Sequence, residues 1–110
     1  MTAPKGGNFG KVLEIDLSKQ TYKTRPVSEE ILQKYIGGRG LGAYYALTEY
    51  KAGKNPLDED AFVFIGVGPM SGTMALSHRT CFVNKNPYTG NINHSECGAH
   101  LASEIKFAGW

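Results

Sequence analysis

The residues able to do chemistry are concentrated in one stretch, residues 66–98, reading GVGPMSGTMALSHRTCFVNKNPYTGNINHSECG. It holds both cysteines, two of the three histidines and the one adjacent His-Arg pair. Three chemistries fit these residue types. His94, Cys97 and His100 follow a His-x-x-Cys-x-x-His spacing, with Cys81 and His78 nearby, and zinc takes such ligands. That spacing matches no common zinc module, and on one helix the third ligand leaves the shared face. Cys81 or Cys97 beside a histidine would give a thiolate nucleophile. No local catalytic signature surrounds either, and between Thr80 and Phe82 an inert, buried Cys81 thiol is the plainer reading. The third chemistry is a platform for a polyanionic, ring-containing cofactor. Arg79 can fork onto a phosphate or a heterocycle edge. The backbone from Glu96 through Cys97 and Gly98 can approach a ligand closely, because Gly98 leaves room. Against all three stands a plain reading in which the glycines only shape turns.

A second glycine-rich stretch, Gly37-Gly38-Arg39-Gly40, precedes an apolar helical pattern. Free N–H groups at a helix start attract anions, and Arg39 would add charge. The sequence lacks the full dinucleotide fingerprint and follows a helix rather than a strand. A tight helix-helix connection with a surface arginine is therefore the plainer reading.

The hydropathy pattern supplies the frame. Residues 11–17 alternate, with Leu13, Ile15 and Leu17 on one face, which predicts a half-buried strand. A polar turn at residues 18–21 returns it as a second strand over residues 22–27, with Pro26 near the end where a missing N–H matters least. Ser28 is a helix N-cap followed by Glu29 and Glu30 in the first turn. Val27 and Leu32 occupy hydrophobic-staple positions, and Gly37 supplies the stop. A second helix is predicted over residues 41–50. Residues 51–60 form a polar loop. Residues 61–67 are a continuous apolar run, predicting a strand buried on both faces that drives into Gly68-Pro69. Strands are expected at 79–85 and 91–94 around the turn Asn86-Pro87-Tyr88-Thr89-Gly90. A helix over residues 99–108 would carry Leu101, Ile105 and Ala108 on one stripe, capped by Gly109.

The 110 residues make about one domain, with 41% hydrophobic and 20% charged content, as in globular chains. A net charge of +2 with scattered basic residues does not point to nucleic acid. No apolar run approaches the roughly 18 residues of a membrane span, and MTAPKGGN has no apolar signal core. A reduced, cytoplasmic setting is expected. Residues 1–8 read as a flexible lead and residues 9–110 as the domain.

Four motifs in fixed order then resemble a known family. They are GGRGLGAY, NPLDEDAFVFIGVGPMSGT, an Arg-x5-Lys-x-Pro-x-Thr-Gly pattern starting at Arg79, and EIKFAG. With the opening GKVLEIDLSKQ, residues 8–110 resemble the N-terminal domain of the tungsten-dependent aldehyde ferredoxin oxidoreductase family. The resemblance implies an α+β fold, a saddle-like β-sheet platform with a few short helices. It implies a tungsten (or molybdenum) bis-pterin cofactor with bridging magnesium, beside a [4Fe–4S] cluster held by residues outside this chain. The implied reaction oxidises aldehyde-like small substrates to carboxylic acids, with ferredoxin or another carrier taking the electrons. Arg79 matches the family arginine between pterin and cluster. Glu96 falls where the family often has Asn, in a turn with Cys97 and Gly98 whose backbone helps hold the magnesium. Ala99 replaces a usual Gly, His100 replaces a usual aromatic residue, and the loop before Arg79 is one residue short. These departures fit a divergent branch whose substrate need not be a simple aldehyde. Family enzymes are several times longer, and two cysteines cannot supply a four-cysteine cluster. The expectation is a fragment or a split subunit, inactive without the remaining catalytic domains or a larger subunit. Such a component should expose an apolar and basic face; a stand-alone binding or assembly module should not, and a third alternative is a small zinc-binding structural domain using Cys81, His94, Cys97 and His100.

Overall fold

A computed structural model describes residues 6–73 and 76–110. The predicted hairpin forms from β1 (Lys11–Asp16) and β2 (Thr21–Pro26), paired antiparallel from Lys11 opposite Pro26 to Asp16 opposite Thr21. Two helices follow, α1 (Glu29–Tyr35) and α2 (Gly38–Glu49). A second sheet has the antiparallel order β3 (Phe64–Val67), β4 (Thr80–Lys85), β5 (Ile92–Cys97). Helix α3 (Leu101–Phe107) comes last. This is the α+β architecture expected, built among the described residues from two small sheets and three helices.

Helix α2 is the centre. On one side Leu41 and Tyr45 form a core with Val27, against which Val12, Ile31, Leu32, Tyr35 and Phe64 pack. On the other, Ala46 packs with Cys81 and Val83 of β4. Gly42 sits between, and a methyl there would lie 2.5 Å from Val83 and 2.7 Å from Phe64. Glycine therefore sets how closely helix and sheet approach.

The α1 start is as expected: Ser28 Oγ accepts from the Ile31 N–H at 3.3 Å, and Val27 and Leu32 share the core. The α1–α2 connection is tighter than a glycine stop. Ile36 has φ 65° and ψ −61°, and the Gly37 N–H donates to the Tyr35 carbonyl at 2.7 Å. That is a γ-turn of the rare positive-φ kind, on a β-branched residue. It lets α2 begin at Gly38, three residues before the predicted start.

Three expected faces are reversed or opened. The hairpin alternates as predicted, but Leu13, Ile15 and Leu17 point outward, with exposures of 38%, 59% and 85%. The inward face carries Val12 and Glu14 instead. Register explains this: Val12 lies opposite Arg25, and Arg25 reaches both Glu14 at 3.1 Å and Glu49 of α2 at 2.8 Å, over the Tyr45 ring. The outward face forms a shallow apolar groove with Tyr22 and Trp110. The apolar run at 61–67 is a strand only over Phe64–Val67, and Val63 and Ile65 are exposed rather than buried on both faces. In α3 the buried positions are Ala102 and Lys106, whereas Leu101 and Ala108 are exposed. Gly109 does close α3: its N–H donates to Lys106 O, and that of Trp110 to Ile105 O, a Schellman motif.

Lys106 explains the α3 orientation. Its ammonium donates to the Gly7 carbonyl and lies 5.5 Å from the Phe9 ring centre, so α3 clamps the segment before β1. Residues 1–5 of the predicted lead lie outside the described residues. Burial pushes the Lys106 pKa below the usual 10.5. The folded form therefore loses this proton before the unfolded chain does, and the unfolded state binds more protons in that window. Stability attributable to Lys106 rises as pH climbs through the lowered value toward 10.5. Urea melts from pH 8 upward should show the wild type gaining on a Lys106→Met variant; a constant difference would refute the buried-cation assignment.

Candidate functional site

Residues directly opposite in an antiparallel pair share a face of the sheet. Cys81 lies opposite Glu96 and Val83 opposite His94, so Glu96 and His94 share the face on which Cys81 and Val83 meet α2. Thr80 lies opposite Cys97 and Phe82 opposite Ser95, on the other face. The predicted strand end at His94 is thus corrected: β5 runs on through Cys97, and this fixes which way each site residue faces.

Arg79, one residue before β4, places Nη1 3.5 Å from the Glu96 carboxylate. The sequence points to the two residues separately and does not pair them; the arginine is largely exposed. Gly98 follows β5, and nothing lies within 4 Å of where its Cβ would be. Cys97 is separated from the Arg79–Glu96 pair by facing the opposite side, where it is an exposed thiol. Every residue of β5 is exposed, so the strand is an open platform. Ala99, just beyond, has φ 72°, the left-handed region that costs a non-glycine residue about 1 kcal/mol.

One cation on this face was read from sequence as surface charge. Arg39, in the first turn of α2, places Nη1 3.1 Å from His94 Nε2. The available signal was its position, since a positive charge in the first turn opposes the helix dipole. The glycines around it follow the tight-connection reading. A methyl on Gly37 would lie 2.9 Å from the Val67 carbonyl, and one on Gly40 2.5 Å from that of Tyr35.

The other two chemistries lose their geometry. Cys81 is buried, and burial pushes its pKa up; Glu96 adds to the rise and Arg39 opposes it. A thiol held protonated is no nucleophile. For zinc, Cys97 faces away from His94, while His78 and His100 line a separate shallow polar depression with Ser103 and Glu104. Among the described residues no three His, Cys, Asp or Glu side chains group to hold a metal. No helix among them is long and apolar enough to cross a membrane.

Fold and site together define an α+β platform domain with an open, charged strand and uncovered apolar surfaces. The profile described as "Aldehyde ferredoxin oxidoreductase, N-terminal domain" matches residues 12–110. The tungsten-containing aldehyde ferredoxin oxidoreductase of Pyrococcus horikoshii is 35% identical over 94% of this chain, and that of Thermococcus kodakarensis 37% identical over 94%. The aliphatic sulfonate oxidoreductase WOR-like subunit of Pyrococcus furiosus is 35% identical over 92%. Among solved structures, the active site complex BamBC of benzoyl coenzyme A reductase superposes with a TM-score of 0.85 at 28% identity, over 93% of this chain. The chain belongs to the aldehyde ferredoxin oxidoreductase family, as its N-terminal domain. It spans 17% of the length of the first two relatives and 16% of the solved chain.

Proposed function

We propose that this chain is the cofactor-supporting N-terminal part, or a small subunit, of a tungstopterin (or molybdopterin) oxidoreductase. That enzyme oxidises an aldehyde to its carboxylic acid and passes electrons to ferredoxin through a [4Fe–4S] cluster held elsewhere. The observation that carries this reading is the exposed Arg79–Glu96 pair on the open β5 platform. The uncovered apolar faces at Leu13, Ile15 and Leu17 and at Val63 and Ile65 support it, since a stand-alone assembly module would close them.

The residues present fit a polyanionic cofactor. Arg79 offers a guanidinium with most of its surface free, and Gly98 leaves its backbone open to close approach. When bound, the tungsten–pterin group supplies the two-electron redox centre. Arg79 holds and orients its anionic edge as a fixed cation. Glu96 steadies Arg79 and, as an oxygen donor, suits a bridging magnesium ion. Cys97 and Gly98 contribute backbone, since the Cys97 side chain faces away. The relatives carry names for different substrates, so substrate choice is assigned to the remaining domains. Both cysteines are free thiols, which agrees with a cytoplasmic setting.

The test is cofactor content. In the whole enzyme purified anaerobically from its native host, Arg79→Ala should lower tungsten or molybdenum and pterin fluorescence per protein at least tenfold, with Arg79→Lys between. Wild-type content in Arg79→Ala would remove Arg79 from the cofactor site.

A further inference from the structure

Arg39 and His94 form a contact that the reading above does not use. They are 55 residues apart in sequence, one on α2 and the other on the exposed strand β5. An arginine has only donors, so at 3.1 Å its Nη1 donates to His94 Nε2, which must carry its lone pair. This contact calls for the ring N–H on Nδ1. Among the described residues Arg39 has no carboxylate within ion-pair distance, whereas Arg79 is paired with Glu96. Arg39 is therefore oriented by an imidazole rather than by a carboxylate.

The two guanidiniums share a face. Arg39 is anchored at His94 and Arg79 at Glu96, two residues apart on one strand, so their anchors are roughly 7 Å apart. Taken together, Arg39, Arg79 and Glu96 carry a net positive charge on an open surface. A guanidinium matches the oxygen geometry of phosphate, through parallel N–H donors. Arg79 already has Glu96 as an ion-pair partner, which leaves Arg39 as the cation with its charge free for a phosphate.

We propose that Arg39, positioned by His94, binds a phosphate group on the open face of β5. The source is either a phosphate of the bound pterin cofactor or free phosphate. In the first case the inference rests on the function proposed above and adds an anchoring residue to it.

Two measurements separate the possibilities. The first is titration of the chain with inorganic phosphate at constant ionic strength, read by nitrogen-15 shifts of the His94 ring and the Glu96 amide. A saturable shift is expected, weakened at least tenfold in Arg39→Ala. His94→Gln, whose amide oxygen can still accept from Arg39, should retain binding, and His94→Phe should weaken it several-fold. A shift that never saturates, or that survives Arg39→Ala, overturns the proposal. The second is cofactor content of the whole enzyme. If Arg39→Ala lowers it, the phosphate belongs to the cofactor; if content is unchanged while the phosphate titration still depends on Arg39, the site takes free phosphate. Arg79→Ala in the same assay tests the cofactor reading alone, so its failure is distinguishable from failure here.

Discussion

Gly42→Ala should destabilise the domain by about 1–3 kcal/mol, among the largest effects expected of any single methyl in this chain. On helix propensity alone the change should help, because alanine is favoured over glycine in a helix interior by roughly 1 kcal/mol. Packing reverses the sign. The new methyl would lie 2.5 Å from Val83 Cγ2, 2.9 Å from Val83 Cβ and 2.7 Å from a Phe64 ring carbon. Val83 is fully buried and its Cβ is fixed to the β4 backbone, so it cannot swing away. Helix α2 must instead lift from the sheet, loosening Ala46 and Cys81 with it. Urea denaturation of both chains decides the matter: a midpoint equal to or above wild type would mean the helix–sheet spacing is not set by Gly42.

Thr80→Val should stabilise by about 1 kcal/mol, raising Tm by roughly 4–8 °C. Thr80 is fully buried, and among the described residues its Oγ1 has no hydrogen-bond partner. A buried hydroxyl without a partner forfeits the bond it had to water, a cost of about 1–3 kcal/mol. Valine keeps the shape and the β-branch that suits a strand. Calorimetry of the two chains checks it; a lower Tm in the valine variant would show that the hydroxyl has a partner after all.

These two positions show what could be read in advance. The strand at Thr80 and the helix around Gly42 follow from pattern, and both elements formed. Local signals with a local cause were legible: the Ser28 cap, the Asn86–Gly90 turn and the Gly109 closure involve residues within a few positions of each other. The outward face of the hairpin was not legible. Leu13, Ile15 and Leu17 carry the stronger apolar signal, yet the ion pairs of Arg25 with Glu14 and Glu49 pull the other face onto α2. The α3 stripe misled in the same way, since the stem of Lys106 packs inward instead while its ammonium finds a carbonyl 99 residues away.

The site divides along the same line. Arg79 stood out because it opens a motif with a fixed order, and Glu96 because it departs from the family's turn; that the two pair was not read in advance. Cys97 was grouped with them by adjacency, and strand parity separates it. Arg39 and His94 meet only because the chain folds α2 beside β5, so no short-range pattern joins them.

The open strand β5 bears on synthesis. In a multidomain chain an N-terminal domain leaves the ribosome first and folds before the rest is made. An unpaired strand edge in that interval invites pairing with any other nascent strand. Most of β5 is Asn93, His94, Ser95 and Glu96, polar or charged residues that make poor partners for such pairing. The same residues that offer a surface to an anion would keep the unfinished polypeptide from sticking to its neighbours.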